Sequence, residues 1–340
     1  MGWLGLDDTD SLEQGCTTFT FHLLLAGLPD AVEVLSPKLV RLWPFAQQRT
    51  RGNAAVAVEL KTEDEEQLLE YLETFWSQNI APFAGRRSES HHDSRQQYPS
   101  DPGMVWFSSE RPEEAFYTAS VRHEVQLSDV PPATRSWGGQ GRIGATAAVC
   151  WRERQPTWEA IVWRTLERHG QNERFVCEAT LHRIDHLPST FLSRDPRKGT
   201  SFVAPRGPCP VLFGIRARDA DTAQRAGTEL RNAEQTEDSI GMRVFVTNQA
   251  TDDHLSEPVQ STVLSTEVLN RGSTCIVTEN GQWMAFEESG PIKLLAQWLR
   301  PGDVIEGNGL SPEAGVMHLE KLRLISSVPS RERPKCDKCK

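Results

Sequence analysis

The sequence predicts an α+β protein built from several domains. Its 340 residues exceed the size of one ordinary domain, and roughly two to four domains are expected. Helix-like and strand-like periodicities alternate as far as residue 255, after which short alternating strands and turn residues follow one another. We therefore expect domains over residues 1–115, 116–255 and 256–326, and a polar tail over residues 327–340.

The composition is that of an ordinary globular protein, with 38% hydrophobic and 25% charged residues. No run approaches the ~20 apolar residues that span a bilayer, so we expect no membrane partner. The beginning of the sequence does not resemble a secretory signal, and the seven cysteines are scattered. A reducing cytoplasm is the expected location. The net charge of −10 argues against diffuse nucleic-acid binding but does not exclude a local basic surface.

The first domain begins with a predicted strand, a loop and a helix. Residues 1–6 are strand-like, and residues 16–27 predict a helix with Thr17 and Thr18 in its first turn. Residues 7–15 form the intervening loop. A loop that leads from a strand into a helix N-terminus presents backbone N–H groups and a positive dipole to an anion.

Three carboxylates, Asp7, Asp8 and Asp10, crowd into four residues of this loop. Because like charges repel, such a cluster at the end of a buried strand indicates a cation. Mg2+ prefers oxygen ligands and usually arrives with nucleotide phosphates. The alternative is a solvated acidic turn that caps a helix, but this accounts for only one or two of the three residues. We favour a magnesium–nucleotide site, with Ser11 and Gly15 as further nucleotide contacts.

Two common phosphate motifs do not fit the loop. A haloacid-dehalogenase-type phosphatase would need Thr or Val at the fifth position from Asp8, where the sequence has Leu12. A Walker loop, GxxxxGK followed by Ser or Thr, is absent from the sequence. If the loop binds phosphate, it belongs to neither type.

Further along the first domain, a predicted helix over residues 63–78 is followed by a polar, aperiodic loop over residues 84–100. The run RTRGN places two guanidinium groups at alternate positions, on Arg49 and Arg51. These groups could clamp a phosphate or could lie on a solvated strand edge, and the spacing alone does not decide. The glycine-rich run GGQGRIG likewise has a phosphate-cradling and a purely structural interpretation.

The middle of the chain predicts a helix–strand–strand–helix–strand order, which is typical of a ferredoxin-like α+β layer. After a small-residue helix that contains ATAAV, we expect a strand over 157–164, strands within 175–195 and 202–219, an amphipathic helix over 219–233 and a strand within 242–255.

Residues 256–326 predict a five-stranded barrel of the OB type, a fold that often binds nucleic acid. Asn280-Gly281 is a strong hairpin signal inside it. In the tail, Cys336 and Cys339 form one CxxC pair, whereas a structural zinc site needs four ligands. Half a zinc site, a redox pair and no function all remain open, and zinc is not assigned. Cys16 lies at the start of the predicted helix that follows the acidic loop, and we interpret it as structural.

Several runs, taken in order, resemble one family, the archaeal 2-agmatinylcytidine synthetases that modify the wobble cytidine of an isoleucine tRNA. These runs are GLDDTDS, GCTT, RLWPFAQQRTRGN, SDPG, GRIGATAAV, TWEAIVWR, APRGPCPVLFGIR, TNQATDDHL and the final CxxC. The resemblance implies a kinase-like α/β N-terminal domain, a ferredoxin-like domain, an OB-type barrel and a zinc ribbon that is vestigial or truncated here.

The resemblance also implies a reaction. ATP would phosphorylate the 2-carbonyl oxygen of the cytosine, and the amine of agmatine would then displace phosphate, changing decoding from AUG to AUA. The partners would be agmatine and an isoleucine tRNA with a CAU anticodon. Carried over residue by residue, the catalytic and binding positions would be Asp7, Asp8 and Asp10 for Mg2+, Thr17 as an autophosphorylated residue beside Thr18, and Arg49, Arg51, Gly52 and Asn53 for phosphate.

Two other functions remain open at this point. One is a non-catalytic or divergent RNA-binding protein of the same descent that retains the OB-type domain. The other is an ATP-dependent enzyme of the same fold that acts on a different RNA or amine. The intact acidic triplet and Thr17 favour the ligase.

Overall fold

The computed structural model describes residues 1–11, 15–50, 52–85, 98–194, 204 and 208–329, with Arg271 described by its backbone alone. The polar loop predicted over residues 84–100 therefore lies largely outside the described residues. The chain divides into two units, Met1–Asp253 and His254–Lys340.

The first unit contains a mixed sheet of eight strands. In chain order these are β1 (Gly2–Asp7), β2 (Glu33–Arg41), β3 (Ala54–Lys61), β4 (Gly103–Phe107), β5 (Arg135–Gly138), β6 (Thr157–Arg164), β7 (Val211–Ala217) and β8 (Ser239–Thr247). Their spatial order is β5-β4-β1-β3-β2-β8-β6-β7. The pair β2–β8 is parallel, and the remaining pairs in this order are antiparallel.

Within the described residues of this unit, six α-helices cover the two faces of the sheet. They are α1 (Thr17–Ala26), α2 (Glu65–Asn79), α3 (Glu114–Arg122), α4 (Arg142–Cys150), α5 (Glu178–Asp185) and α6 (Ala220–Arg231). Because side chains alternate along a strand, Leu4 and Leu6 of β1 pack with α1 and α2 on one face. On the other face, α3 and α4 share a core with β3 and β4, while α5 and α6 pack on β6 and β7.

Most of the predicted elements of the first unit are confirmed. The strand over 157–164 has the predicted bounds, and α6 lies within the predicted amphipathic helix. Asp219 caps α6 by accepting a hydrogen bond from the Thr222 amide at 2.7 Å, and Asp64 caps α2 in the same way through Gln67 at 2.9 Å. These local signals made both helices predictable.

The strand expected within residues 175–195 is wrong, because this segment contains helix α5. Cys177, Leu181 and Ile184 follow helical spacing and are all buried against the sheet. Glu178 lies in the first turn and Arg183 in the last, where both charges suit the helix dipole.

The register of the strands gathers several loops at one edge of the sheet. Asp7, the last residue of β1, pairs with Gly103 at the start of β4. Arg41, at the end of β2, pairs with Ala54 at the start of β3. Since β8 runs parallel to β2, its last residue, Thr247, reaches the same edge. The acidic loop therefore lies at the edge where the β2–β3 connection and the segment after β8 also lie.

The second unit is a closed barrel of five strands. Its strands are β9 (Val259–Val268), β10 (Thr274–Thr278), β11 (Gly281–Ala285), β12 (Val304–Glu313) and β13 (Val316–Ser326), bonded in the order β10-β11-β13-β12-β9. The predicted hairpin is confirmed, since β10 and β11 are antiparallel. Gly281 has a φ of +120°, which favours glycine at this turn.

A helix that the sequence analysis did not predict, α7 (Pro291–Trp298), connects β11 to β12. Proline begins it, which is a favourable first helical position, and Ala296 and the following Leu299 pack into the barrel core. None of the helices in the described residues is long and apolar enough to cross a membrane. The predicted boundaries within residues 1–255 stay predictions.

One surface turn stores backbone strain that a single substitution should relieve. Ala250 has a φ of +63°, a left-handed conformation that costs an L-residue roughly 1–2 kcal/mol. We expect Ala250→Gly to stabilise the protein by roughly 0.5–1 kcal/mol after the greater unfolded-state entropy of glycine is included. The measurement is the midpoint of urea unfolding.

Ala84→Gly is the matched control, because Ala84 is also exposed but has a φ of −59°. This control should be slightly destabilised. Equal effects of the two substitutions would contradict the strain at Ala250.

Candidate functional site at the acidic loop

The backbone of the acidic loop is fixed by the segment that precedes β4. Asp8 has a φ of +56°, an uncommon left-handed conformation for a residue with a side chain. The Ser100 hydroxyl donates to the Asp8 carbonyl at 2.9 Å, and the Asp101 amide donates to Asp8 Oδ2 at 2.7 Å. These two bonds hold Asp8 in a conformation that it would not adopt alone.

The Asp7 carboxylate packs directly against helix α4. Its Oδ1 accepts the Asp8 amide at 2.7 Å. A Cβ atom at Gly144 would lie 1.9 Å from Asp7 Oδ2, far inside any real contact distance. Glycine at position 144 therefore lets the helix approach the carboxylate.

Desolvation and nearby negative charge disfavour the ionised forms of Asp7 and Asp8. Burial, with the neighbouring Asp8 and Asp10, raises the pKa of Asp7 well above its usual value. Burial also raises the pKa of Asp8 to about 8, although the hydrogen bond from Asp101 acts in the opposite direction. Among the described residues, Asp7 and Asp8 accept hydrogen bonds from amides and from Thr50 and make no ion pair. A cation at this position would remove the repulsion.

Asp101 joins the acidic loop to the glycine-rich loop, and the sequence analysis gave it no role. Its Oδ2 accepts the Gln140 amide at 2.8 Å, and its carbonyl accepts the Gly141 amide at 2.8 Å. A Cβ atom at Gly139 would lie 2.0 Å from Asp101 Oδ1. The available signal was the SDPG run, which contains Asp101 but does not reveal a partner 39 residues away.

The beginning of helix α1 closes the other side of the acidic loop. Thr17 Oγ1 accepts hydrogen bonds from the amide of Thr9 at 3.3 Å and from its hydroxyl at 3.4 Å. Gly15 has a φ of +83°, which permits the sharp turn into the helix. Thr17 and Thr18 are both buried. Thr17 is thus the residue of α1 that contacts the loop directly.

Thr18 anchors the helix to the sheet. Its hydroxyl accepts a hydrogen bond from Trp163 Nε1 at 3.2 Å and lies 3.0 Å from the Cys16 thiol. Contact with the Cys209 thiol and burial raise the pKa of Cys16, which makes it a poor nucleophile. These contacts support the interpretation of Cys16 as structural.

The RTRGN segment approaches the loop through its threonine. Thr50 Oγ1 lies 3.4 Å from the Asp10 carbonyl and 3.5 Å from Asp8 Oδ1. Arg49 donates to the Ala46 carbonyl at 2.5 Å. Arg51 lies outside the described residues, and Gly52 is exposed with open space around it.

A cleft of about 320 Å3 runs from the acidic loop to the β2–β3 connection. Its walls include the carboxylates of the loop, the glycine-rich loop and a side chain from RTRGN. The residues in question are Asp7, Asp8, Asn53, Gln140, Gly141 and Gly144. The structure therefore brings three of the predicted site residues, two carboxylates and one amide, to a single cleft beside the N-terminus of α4.

A metal ion would need ligands beyond the side chains of this loop. Within the described ranges, no three His, Cys, Asp or Glu side chains are arranged to hold a metal ion. Mg2+ is usually held by one or two carboxylates together with phosphate oxygens and water, and the donor set at Asp7 and Asp8 fits that arrangement. Cys336 and Cys339, the predicted zinc candidates, lie outside the described residues.

At one edge of the sheet lie the acidic loop, the glycine-rich loop and the N-termini of α1 and α4. This arrangement defines an α/β protein with a cleft suited to a phosphate–cation pair. The family model described as the TiaS TCKD domain matches residues 3–138, and the one described as the TiaS FLD domain matches residues 139–254. The chain belongs to the TiaS family, the 2-agmatinylcytidine synthetases of isoleucine tRNA.

The similar proteins cover nearly the entire chain. The isoleucine-tRNA 2-agmatinylcytidine synthetase TiaS of Methanopyrus kandleri is 31% identical over 100% of this chain and 84% of its own length. The protein of the same name from Pyrococcus horikoshii is 30% identical over 99% and 84%.

Solved structures of the family have the same fold. The complex of TiaS with its isoleucine tRNA and ATP matches with a TM-score of 0.79 and 27% identity over 96% of this chain and 82% of that one. The complex of TiaS with the same tRNA, AMPCPP and agmatine matches with a TM-score of 0.77 and 25% identity over 96% and 83%.

His22, in helix α1, should make the free energy of unfolding depend on pH. This ring stacks on Trp163 at 4.5 Å, and burial, helped by the nearby Arg243, lowers its pKa to about 4. The unfolded chain, with a His pKa near 6.5, binds the proton first. Stability should therefore fall as the pH is lowered from about 6.5 towards about 4.

Urea unfolding midpoints at pH 7 and pH 5 measure this effect, with His22→Gln as the comparison. The native chain should lose more stability than the variant between the two pH values. An equal loss in both proteins would show that His22 does not contribute.

Proposed function

We propose that this chain catalyses the ATP-dependent attachment of agmatine to the 2-position of the wobble cytidine in an isoleucine tRNA with a CAU anticodon. The observation that carries the proposal is the pair of half-buried carboxylates, Asp7 and Asp8, which open into the same cleft as the glycine-rich loop. Relatives that share nearly the whole chain bear the name of this activity.

The finer domain assignment belongs to the same proposal. Residues 1–115 would form the kinase-like domain, residues 116–255 the ferredoxin-like domain, residues 256–326 the OB-type domain and residues 327–340 a tail with one CxxC. The five-stranded ring, with a helix between its third and fourth strands, supports the OB-type assignment. Five described cysteines are free thiols, which supports a cytoplasmic location.

ATP would occupy the cleft with its phosphates towards the acidic loop. The N-terminus of α4 borders the cleft, where the positive end of the helix dipole favours an anion. The amides of Gln140 and Gly141 already donate to Asp101. Asn53 lines the opposite wall. The further contacts proposed for the nucleotide are Ser11, Gly15, Arg49, Arg51 and Gly52.

Asp7 and Asp8 would hold Mg2+ together with phosphate oxygens and water, and the cation would neutralise phosphate charge during transfer. Asp10, the third predicted ligand, would add negative charge nearby. The chain's own contribution is orientation. Ser100 and Asp101 fix the backbone of Asp8 before any ligand arrives, so little rearrangement remains when the nucleotide binds.

The chemistry explains why ATP is needed. The cytosine 2-carbonyl is amide-like and a poor electrophile. Transfer of a phosphoryl group to its oxygen converts that oxygen into a leaving group. The agmatine amine then forms a bond to carbon 2, loses a proton, and the C–O bond breaks to release phosphate.

Thr17 is proposed as the site of self-phosphorylation, with Thr18 as its structural neighbour. Two contacts with Thr9 place the Thr17 hydroxyl beside the acidic loop. A phosphate there would sit at the N-terminus of α1, where negative charge is well tolerated.

The direct test combines the protein, ATP, labelled agmatine and an isoleucine tRNA transcript. Label should enter the RNA only when ATP is present. Good RNA binding without incorporation would instead support the non-catalytic RNA-binding alternative.

Asp8→Asn should reduce incorporation by about a hundredfold or more, because it removes one charge from the proposed cation site while preserving side-chain size. The assay is the rate of labelled agmatine entering tRNA. Asp30→Asn is the control, since Asp30 is an exposed aspartate outside the cleft. Near-native activity of Asp8→Asn would contradict the role of this carboxylate.

Thr17→Ala should abolish incorporation of radiolabel from ATP into the protein itself, because the accepting hydroxyl is lost. Thr17→Ser should retain labelling, and Thr20→Ala, on the same helix, should label like the native chain. Mass spectrometry of the labelled peptide locates the phosphate. A label that persists in Thr17→Ala would assign the phosphoacceptor elsewhere.

A further inference from the structure

The side chain of Asn248 continues the sheet beyond the end of β8. The parallel pairing of β2 and β8 reaches Leu39 and Thr247. Asn248 Oδ1 then accepts the Arg41 amide at 2.7 Å, and its Nδ2 donates to the Arg41 carbonyl at 2.9 Å. A side-chain amide thus makes the two bonds that another strand residue would make. Asn248 is buried, so water does not compete for these bonds.

The residue held in this way, Arg41, leads directly into a wall of the cleft. The Leu42 amide donates to the Asn53 carbonyl at 2.9 Å, and the Trp43 amide donates to the Ser120 carbonyl at 2.9 Å. Asn53 Nδ2 returns a bond to the Trp43 carbonyl at 2.9 Å. These four partners all line the cleft that contains the two carboxylates. The position of Arg41 therefore sets the position of this wall.

A second branch from Asn248 holds the helices behind the cleft. Its Nδ2 also donates to the Tyr117 hydroxyl at 2.9 Å, which in turn donates to Asp253 Oδ2 at 2.7 Å. Trp151 Nε1 donates to the same oxygen at 3.2 Å. Tyr117 belongs to α3 and Trp151 caps α4, the helix whose N-terminus borders the cleft.

These contacts join the two parts of the first unit that separate family models match. Asn248 and Asp253 lie in residues 139–254, whereas Arg41 and Tyr117 lie in residues 3–138. Buried polar networks of this kind specify one arrangement, because every broken bond leaves an unsatisfied group away from water. The TNQATDD run, residues 247–253, thus contacts Arg41 and Tyr117 in the part of the chain that carries the proposed nucleotide site.

We propose that Asn248 is a positioning residue for the nucleotide cleft, which acts by fixing Arg41 and so the wall formed by Leu42, Trp43 and Asn53. This role rests on the proposed function, since it takes the cleft to be the ATP site. Asn248 does not line the cleft and touches no reacting atom. It acts through the β2–β3 connection.

The test compares Asn248→Ala with two other variants. Tyr117→Phe breaks the second branch but leaves both bonds between Asn248 and Arg41. Asp219→Ala removes the cap of α6, a comparable local loss of stability away from the cleft. Affinity for the non-hydrolysable analogue AMPPNP with Mg2+ is measured by calorimetry, and amide hydrogen exchange is followed over residues 41–48.

Asn248→Ala should bind AMPPNP about tenfold more weakly and should exchange the amides of residues 41–48 faster. Asp219→Ala should lower the unfolding midpoint similarly but change neither readout, and Tyr117→Phe should change AMPPNP affinity by less than about threefold. If Asn248→Ala does not fold, Asn248→Asp is measured instead. This variant keeps the oxygen that accepts the Arg41 amide but loses the donor to the Arg41 carbonyl and to the Tyr117 hydroxyl. The same changes in AMPPNP affinity and amide exchange are expected.

The outcomes separate this inference from the proposed function. Tight AMPPNP binding by the native chain together with unchanged affinity and exchange in Asn248→Ala would overturn the positioning role alone. An equal loss of AMPPNP affinity in Asp219→Ala would show that the effect follows from the lower stability of the protein. That result would also overturn the positioning role. No AMPPNP binding by the native chain would overturn the ATP site and, with it, the positioning role.

Discussion

The crowding of carboxylates at the end of β1 is the constraint around which the first unit is organised. Asp7 and Asp8 are adjacent and half-buried, and desolvation together with neighbouring carboxylates raises the pKa of both. The fold holds them there with a left-handed backbone at Asp8 and amide donors from the segment before β4. A glycine at position 144 gives the carboxylate room. Such strain persists only where the surrounding structure enforces it, and it is typical of functional sites.

Helix α4 runs from this site along one face of the sheet. Its N-terminus lies beside the acidic loop, and its last carbonyls are held by cations. Arg111 Nε donates to the Val149 carbonyl at 3.2 Å, and Lys38 Nζ donates to the Trp151 carbonyl at 3.1 Å. Positive charge at the C-terminus complements the helix dipole. The helix is thus fixed at both ends, which keeps its N-terminus beside the cleft.

The sequence predicted elements whose signals are adjacent in the chain, and it did not reveal contacts between residues far apart in the chain. The strand, acidic loop and start of α1 were predictable because the carboxylates and the helix start are adjacent in the chain. Asp101 and Asn248 were not assigned roles, because their partners Asp8 and Arg41 are 93 and 207 residues away. The segment that contains α5 was mistaken for a strand because its apolar residues are few and its neighbours strand-like. The short helix α7 lies inside an otherwise strand-rich region and carries few charges to mark it.

The proposed function requires the acidic loop to bind nucleotide phosphates together with a divalent cation. The most direct measurement is the affinity of the native chain for ATP, determined by calorimetry at pH 7 with Mg2+ and with Mg2+ removed by a chelator. If Asp7 and Asp8 act through a cation, removal should weaken ATP binding by at least about tenfold. Equal affinity under the two conditions would show that Asp7 and Asp8 do not act through a cation.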